Sequence, residues 1–145
     1  MKPERGLAIG VFDLFHVGHL RYLQYARQRC RHLTVAVTPD HIAEQVKGRR
    51  PVVPQQQRLE IVVSLGFVDR AWLLPSSTED TQSAAIWINE WEIQHVIAGG
   101  GWRGSARWGR LTPELASYGV TVEFAPHTDD VSTTQLIEAI RQRFE

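Results

Sequence analysis

Cysteine is almost absent from the sequence, since Cys30 is the single one among 145 residues. An intramolecular disulfide is therefore excluded, and so is a zinc site built from cysteines. Because Cys30 lies in a stretch of helical periodicity, we expect a buried packing thiol rather than a nucleophile. An excess of one charge is also missing, because Lys plus Arg and Asp plus Glu both number 16. This balance argues against a general binder of nucleic acids or membrane surfaces, but it allows a local basic pocket for an anionic substrate.

Long apolar runs are missing as well. No window approaches the roughly 18 apolar residues of a membrane span, and the apolar run within the first twelve residues is too short for a signal peptide. Residues 1–145 fit one domain of ordinary size. The content of 43% apolar and 22% charged residues is typical of a globular protein. We therefore expect a single-domain cytoplasmic protein with no membrane partner.

Short apolar segments alternate with segments of helical periodicity along the chain. Five strands are predicted, at residues 6–12, 32–40, 70–75, 93–100 and 120–126. Six helices are predicted, at residues 18–31, 41–46, 55–66, 78–91, 111–119 and 132–144. We expect Gly66 to cap the third helix, and Thr78 or Thr81 to begin the fourth. The alternation predicts a Rossmann-like α/β domain: a doubly wound parallel sheet of about five strands with helices on both faces.

The unusual polar residues fall in loops that follow predicted strands. These loops read DLFHVGH, TPD, GGGWRGS and HTDDVSTT. In open parallel sheets, ligands bind beyond the carboxyl ends of the strands, near the point where the strand order reverses. The four loops are therefore expected to form one site.

Two histidines flank Gly18 within the stretch GVFDLFHVGH. If a helix starts near Val17, His16 and His19 lie on one side and can enter the same pocket, while Gly18 lets a ligand approach closely. A helix N-terminus attracts anions, and two imidazoles there can donate hydrogen bonds to phosphate oxygens. One alternative is a helix cap with an exposed second histidine, and another is a metal site, for which a third ligand is missing. Asp13 either orients a histidine or caps the turn.

GVFDLFHVGH resembles the signature of the small nucleotidyltransferases related to glycerol-3-phosphate cytidylyltransferase, a family that includes heptose-phosphate adenylyltransferases. KGRRPVVPQQQRLEIV is similar to the lysine-glycine loop and the following arginine-bearing helix of that family. VIAGGGW resembles its fourth-strand loop, and HTDDVSTTQLIEAI its closing signature. The resemblance extends from Gly6 to Ile140. It implies transfer of a nucleoside monophosphate from CTP or ATP to a phosphate on a small alcohol or sugar, with release of pyrophosphate.

The resemblance also implies roles for individual residues. The catalytic residues would be His16, His19, Lys47 and Ser132. The nucleotide would be bound by Val11, Phe12, Gly18, Arg49, Gly99, Trp102, His127, Thr128 and Thr133. The phosphorylated acceptor would be bound by Asp13, Asp40 and Arg58. Apart from the resemblance, the arginines of GGGWRGSARWGR suggest that Arg103 or Arg107 holds the acceptor phosphate. Mg²⁺ would accompany the triphosphate, held by phosphate oxygens and water, and the chain would form a homodimer.

Two of these assignments have simpler structural interpretations. Lys47 and Arg49 lie in a basic loop framed by glycine and proline, which is either a phosphate clamp or a solvated loop. Arg58 is an ordinary surface arginine if its apolar neighbours, among them Ile61 and Val62, pack inward.

The closing signature contains a predicted helix start. The chain departs from the family pattern at two positions, one in this signature and one in the fourth-strand loop. Ser132 and Gln135 begin the segment STTQ, which is a capping box, and the free N–H groups of such a helix start can also bind an anion. His127 stands where the family usually has arginine, and Gly101 stands where it usually has an acid.

The closing motif is nearer to that of cytidylyltransferases, so we expect CTP as the donor. The alternatives are an adenylyltransferase that uses ATP on a heptose phosphate, and a nucleotide- or RNA-binding module without catalysis; the balanced charge disfavours RNA.

Overall fold

One five-stranded sheet organises the computed structural model, which describes residues 2–129 and 131–144. The strands are β1 (Arg5–Gly10), β2 (His32–Val37), β3 (Arg70–Leu73), β4 (His95–Ala98) and β5 (Thr121–Phe124). All neighbouring strands are parallel, and their order is β3-β2-β1-β4-β5. The order reverses between β1 and β4, where a doubly wound sheet has its crevice. The predicted Rossmann-like sheet is therefore confirmed.

Helices cover both faces of this sheet. They are α1 (Val17–Gln28), α2 (Asp40–Lys47), α3 (Gln55–Val63), α4 (Thr81–Glu90), α5 (Ala106–Ala116) and α6 (Thr133–Phe144). Successive residues of a strand point to opposite faces. Leu7 of β1 accordingly packs with residues of α4 and α5, whereas Ala8 packs with residues of α1 and α3. Within the described residues, no helix is long and apolar enough to cross a membrane.

Cys30 follows the C-terminal end of α1 by two residues and packs against β1. Only 2% of its surface is exposed, and burial raises the pKa of its thiol. A Cβ on Gly6 would lie 2.6 Å from the Cys30 Sγ, so the glycine allows the helix end to approach the strand. The prediction of a packing thiol is confirmed.

Helix α5 starts earlier than predicted, at Ala106 instead of residue 111. The Ser105 Oγ accepts a hydrogen bond from the Trp108 N–H (3.3 Å) and caps the helix. The helix runs through Pro113. Arg107 and Trp108 therefore lie on a helix with a fixed direction rather than in a loop.

Of two further predicted helix ends, the start of α4 is confirmed and the cap of α3 is not. Helix α4 begins at Thr81, one of the two predicted residues, and its cap is Asp80, whose carboxylate accepts the backbone N–H of Ser83. Helix α3 ends at Val63, and the chain leaves it through a turn before Gly66 is reached. The predicted glycine cap was therefore wrong.

Candidate functional site

Two connected clefts open at the carboxyl ends of the strands. We call the first the histidine cleft; it is bordered by His16, His19, Lys47, Trp102, His127 and the start of α6. We call the second the arginine cleft; it is bordered by Ile42, Val46, Lys47, Trp102, Arg107 and Trp108. Lys47 and Gly99 line both clefts and the space between them. The loops after β1 and β4 thus meet as predicted.

His16 and His19 cap α1 reciprocally. His16 has an extended backbone (φ −139°), and its Nδ1 accepts a hydrogen bond from the Gly18 N–H (3.1 Å). The His19 Nδ1 accepts the N–H of His16 (3.3 Å), and the two rings stack with centroids 3.7 Å apart. The interpretation of a histidine as a helix cap is therefore correct, and it extends to both residues. A Cβ on Gly18 would lie 3.0 Å from the His16 ring and from Val131, so the glycine also permits close packing.

This capping fixes the hydrogen-bonding character of both rings. A nitrogen that accepts a hydrogen bond carries no proton, so each neutral imidazole holds its proton on Nε2. Burial, followed by the positive charges of His16 and Lys47, lowers the pKa of His19 to about 3, although Asp13 acts in the opposite direction. Burial also lowers the pKa of His16. Both histidines are therefore neutral near pH 7, and each has one Nε2–H that the helix start does not use.

Lys47 ends α2 at the junction of the two clefts. Burial, followed by the nearby charge of Arg49, lowers its pKa, although Asp13 opposes the shift. The Arg49 Nη2 lies 3.4 Å from the Thr134 Oγ1, so the loop after α2 reaches across the histidine cleft to α6. The two cations are thus placed around one cleft, which favours the phosphate-clamp interpretation over a solvated loop.

Asp13 fixes the basic loop between α2 and α3 through hydrogen bonds to its backbone. Its carboxylate oxygens accept the backbone N–H groups of Val52 (2.8 Å) and Val53 (2.9 Å). Its backbone carbonyl accepts the hydroxyl of Thr133 (2.9 Å). Asp13 is 7% exposed, so it positions the basic loop and α6. Its carboxylate bonds to this loop and not to a histidine, contrary to one sequence-based interpretation, and its assignment to the acceptor stays a prediction.

Arg58 is fully buried, with 0% of its surface exposed. Its guanidinium donates to the carbonyls of Val53 (2.8 Å), Val11 (2.6 Å) and Thr38 (2.8 Å), and to the Asp40 carboxylate (2.7 Å). Burial raises the pKa of Asp40, but the hydrogen bonds from Arg58 and from the Gln55 backbone outweigh it and lower the pKa overall. Arg58 and Asp40 therefore join the ends of β1 and β2 to the basic loop. They are positioning residues here and not acceptor ligands, and Arg58 is no surface arginine.

Phe12 borders the space between the two clefts. It is 2% exposed, and its ring packs edge-on against His19 with centroids 5.4 Å apart. Its φ of 57° lies in the left-handed region, which non-glycine residues adopt at some cost in energy. The side chain thus supports His19, and the assignment of Phe12 to the nucleotide stays a prediction. The neighbouring Val11 borders the arginine cleft.

The start of α6 closes the histidine cleft opposite the histidines. The Ser132 Oγ accepts the N–H of Gln135 (3.0 Å), as expected of the cap. Thr133 and Thr128 border the same cleft. The first backbone N–H groups of a helix have no partner within it, so they remain able to bind an anion here.

The loop after β4 packs against the segment after β5. A Cβ on Gly100 would lie 2.4 Å from the carbonyl oxygen of Ala125, so this contact requires glycine. A Cβ on Gly101 would lie 3.8 Å from the His127 ring. Gly101 and His127, the two departures from the family pattern, are therefore neighbours. The His127 side chain is 60% exposed, and its Nε2 lies 3.6 Å from Asp129.

Arg103 and Arg107 point to different places. Arg103 donates to the carbonyl of Phe124 (3.3 Å) and lies over its ring, outside both clefts. Arg107 borders the arginine cleft, and its guanidinium lies 4.4 Å from the centroid of the Trp102 ring. Arg107, rather than Arg103, is therefore placed to meet a ligand.

Tyr22 and Thr78 were missed in the sequence. The Tyr22 hydroxyl accepts the N–H of Ile9 (3.0 Å) and donates to the carbonyl of Ile97, which joins β1 to β4 at the reversal. Thr78 accepts a hydrogen bond from Arg107 (3.2 Å) at the far side of the arginine cleft. Nothing in the sequence distinguishes Tyr22 from an ordinary apolar-face residue, and Thr78 gave only a weak cap signal.

Sequence comparison finds relatives along most of the chain. The family model described as cytidylyltransferase-like matches residues 7–139. The chain is 38% identical over 135 residues to the bifunctional protein HldE of Halorhodospira halophila, and 35% identical over 133 residues to HldE of Alkalilimnicola ehrlichii. These matches cover 92% and 91% of this chain, but 27% and 26% of those proteins. The chain thus spans about a quarter of the length of these relatives.

A solved structure shows the same architecture. The lipopolysaccharide core biosynthesis protein from Thermoplasma volcanium superimposes with a TM-score of 0.69 at 26% sequence identity. The match covers 87% of this chain and 98% of that chain. The likeness therefore includes nearly the whole of that protein.

Proposed function

The chain belongs to the cytidylyltransferase-like family of nucleotidyltransferases, and we propose that it transfers AMP from ATP to the phosphate group of a sugar phosphate, with release of pyrophosphate. The observation that carries this proposal is the arrangement around the histidine cleft. Two neutral imidazoles with free Nε2–H groups, the Lys47 ammonium and the start of α6 border one cleft. Donors grouped in this way suit a triphosphate.

The reaction needs positioning and charge stabilisation more than proton transfer. A phosphate oxygen of the acceptor attacks the α-phosphorus of ATP; the new P–O bond forms as the bond to the β-phosphate oxygen breaks, and pyrophosphate leaves. A phosphate oxygen is already ionised near neutral pH, so no general base has to activate it. His16, His19 and Lys47 would stabilise the charge that grows on the leaving pyrophosphate.

The start of α6 would hold the triphosphate from the other side. Its unpaired backbone N–H groups attract anions, and Ser132 and Thr133 orient that helix end through their hydrogen bonds. Arg49, bridged to Thr134, would add positive charge above the phosphates. The basic loop is fixed by Asp13 and Arg58, so these two residues would act on catalysis through the position of the loop.

The comparisons support ATP and a sugar over the CTP expected from the closing motif. The relatives that match are bifunctional HldE proteins, and the similar solved structure is a protein of lipopolysaccharide core biosynthesis. A lipopolysaccharide core is built of sugars, which favours a sugar phosphate as the acceptor. The heptose-phosphate adenylyltransferase alternative, raised by the sequence, is therefore preferred.

Mg²⁺ and dimer formation remain predictions. Within residues 2–129 and 131–144, no group of three or more His, Cys, Asp or Glu side chains could hold a metal ion. The carboxylates of Asp13 and Asp40 are also engaged by the protein. We propose that Mg²⁺ is held by the triphosphate and water. Chelation by EDTA should stop turnover, and analytical ultracentrifugation should show a homodimer.

The test distinguishes the role of the His16 Nδ1 in capping α1 from the role of its Nε2–H in the cleft. Asparagine is a strong helix cap, so His16→Asn keeps the cap of α1 but removes the Nε2–H from the cleft. We expect its melting temperature to match that of the wild type, while kcat falls by about 10²- to 10³-fold, as for the loss of one oxyanion donor. Pyrophosphate release is measured with ATP or CTP and with mannose 1-phosphate, a heptose 1-phosphate or glycerol 3-phosphate.

Each other outcome has a defined meaning. A kcat of His16→Asn near that of the wild type contradicts the role of the histidines. A preference for CTP with glycerol 3-phosphate overturns the choice of ATP and a sugar but keeps nucleotidyl transfer. Binding of ATP by the wild type without pyrophosphate release from any acceptor supports the non-catalytic module.

A further inference from the structure

We propose that the arginine cleft binds the hydroxyl-bearing body of the acceptor, and that Arg107 with Thr78 selects a sugar phosphate over a shorter phosphate ester. The inference rests on the proposed function, because it takes the acceptor phosphate to react in the histidine cleft. It adds a second binding region and names the residues that distinguish among acceptors.

Arg107 is a rigid donor group with unused hydrogen-bonding capacity. Its side chain is 14% exposed, and its guanidinium is held between the Trp102 ring (4.4 Å) and the Thr78 hydroxyl (3.2 Å). Its Nη2 lies 3.6 Å from the carboxylate of Glu79, which is 63% exposed and too distant for a strong hydrogen bond. A guanidinium has five N–H donors. Arg58, by contrast, directs four hydrogen bonds into the protein.

The walls of the arginine cleft suit a sugar. Ile42, Leu74 and Trp108 provide apolar surface, and Ser77, Thr78 and Arg107 provide polar groups. A sugar has apolar C–H faces and a hydroxylated edge, so it can contact both kinds of surface.

The connection between the two clefts determines how the acceptor would be oriented. Lys47 and Gly99 line both clefts, and Trp102 borders both. An acceptor phosphate beside Lys47 can meet the α-phosphorus of a nucleotide in the histidine cleft. Its body then extends into the arginine cleft, towards Arg107 and Thr78. A three-carbon acceptor would bind through its phosphate and make less use of these two residues.

The experiment compares Arg107→Gln with Arg110→Gln. Arg110 is an exposed arginine on the same helix, so its replacement removes the same charge without altering the cleft. With saturating ATP, Arg107→Gln should raise KM for mannose 1-phosphate and heptose 1-phosphate about tenfold or more. KM for ATP and for glycerol 3-phosphate should change less than about twofold. Arg110→Gln should leave all four constants near the wild-type values.

Thr78→Val provides a second variant of nearly the same shape. It removes the hydroxyl that orients Arg107, and we expect KM for the sugar phosphates to rise about threefold. Thermal unfolding establishes that each variant folds, and Thr78→Val decides if Arg107→Gln does not. Unchanged KM for the sugar phosphates, or an equal rise for glycerol 3-phosphate, overturns the inference.

Calorimetry distinguishes failure of the inference from failure of the proposed function. If the wild type releases no pyrophosphate with any acceptor, the proposed function fails. Titration of mannose 1-phosphate into the wild type and Arg107→Gln then tests the cleft alone. Binding that is weakened in the variant supports the arginine cleft as a sugar-phosphate site, and equal or absent binding overturns it.

Discussion

Replacement of Arg58 by methionine should destabilise the protein far more than replacement of any exposed arginine. Methionine keeps an apolar stem of similar length but cannot donate the four hydrogen bonds to Val53, Val11, Thr38 and Asp40. The Asp40 carboxylate, on a residue only 7% exposed, would lose its buried partner. Breaking one side of a buried ion pair costs about 3–5 kcal/mol. A domain has about 5–15 kcal/mol of stability in total, so the variant should be close to its unfolding limit.

The structure offers a matched control on the same carboxylate. The Arg50 Nη2 lies 3.5 Å from Asp40, but its side chain is 64% exposed. Exposed ion pairs contribute about 0–1 kcal/mol, so Arg50→Gln should change the free energy of unfolding by less than about 1 kcal/mol. Both arginines carry the same charge near the same carboxylate. The difference between the variants therefore measures burial and hydrogen bonding rather than net charge.

The assay is urea unfolding at pH 7, followed by far-UV circular dichroism. A double-mutant cycle with Asp40→Asn isolates the pair, and we expect a coupling energy of about 1.5–3 kcal/mol, since neighbouring buried groups are not additive. The reasoning is refuted if Arg58→Met loses less than about 1 kcal/mol with an unchanged urea dependence, because a buried arginine with four hydrogen bonds cannot be removed at so small a cost.

Three further predictions concern histidine protonation, glycine packing and acid stability. In ¹⁵N NMR at pH 7, His16 and His19 should both show the Nε2–H tautomer, and the titration midpoint of each should lie below the ordinary value of about 6.5; an Nδ1–H tautomer would contradict the capping geometry. Gly100→Ala should lower stability by about 1–3 kcal/mol, whereas Gly101→Ala should not, because their Cβ atoms would lie 2.4 Å and 3.8 Å from the nearest atoms; equal melting temperatures would refute this. Burial raises the pKa of Glu123, but hydrogen bonds from three side chains outweigh it, and the net shift is downward. Its stabilisation is thus present above about pH 4.3 and lost as the pH falls through the lowered pKa. Glu123→Gln should therefore flatten the acid part of the stability profile; an unchanged slope would count against it.

The order of the elements could be predicted from the sequence because each strand and helix has its own periodicity. The convergence of four loops followed from the rule for open parallel sheets. The start of α5 was placed too late, because the glycine-rich segment GGGWRGS, which ends at Ser105, indicated a loop. A serine three residues before Trp108 was the available signal for the true start.

The burial of Arg58 was missed for a different reason. Arginine is rarely fully buried, so composition favours the surface. Helical spacing contained the opposite signal, since Arg58 precedes Val62 by four residues and shares its face. Val62 is fully buried, whereas Ile61, expected to pack inward, is 40% exposed. The sequence could therefore indicate that Arg58 faces inward. It could not indicate the three carbonyls whose hydrogen bonds offset the desolvation energy of the guanidinium, because these carbonyls come from distant segments.

The spacing of the two histidines follows from helix geometry as much as from chemistry. His16 is the N-cap and His19 lies three residues on, the positions between which a reciprocal cap forms. Gly18 lies between them because a Cβ there would press on the His16 ring and on Val131. The helix start uses Nδ1 of each ring, and this choice leaves Nε2–H for a ligand. The same hydrogen bonds that stabilise α1 therefore set the tautomers of the site, so a change in spacing would remove the cap and reorient the donors together. His16→Asn separates the two contributions because the asparagine Oδ1 can accept the capping hydrogen bond, whereas its shorter side chain places no donor at the position of the imidazole Nε2.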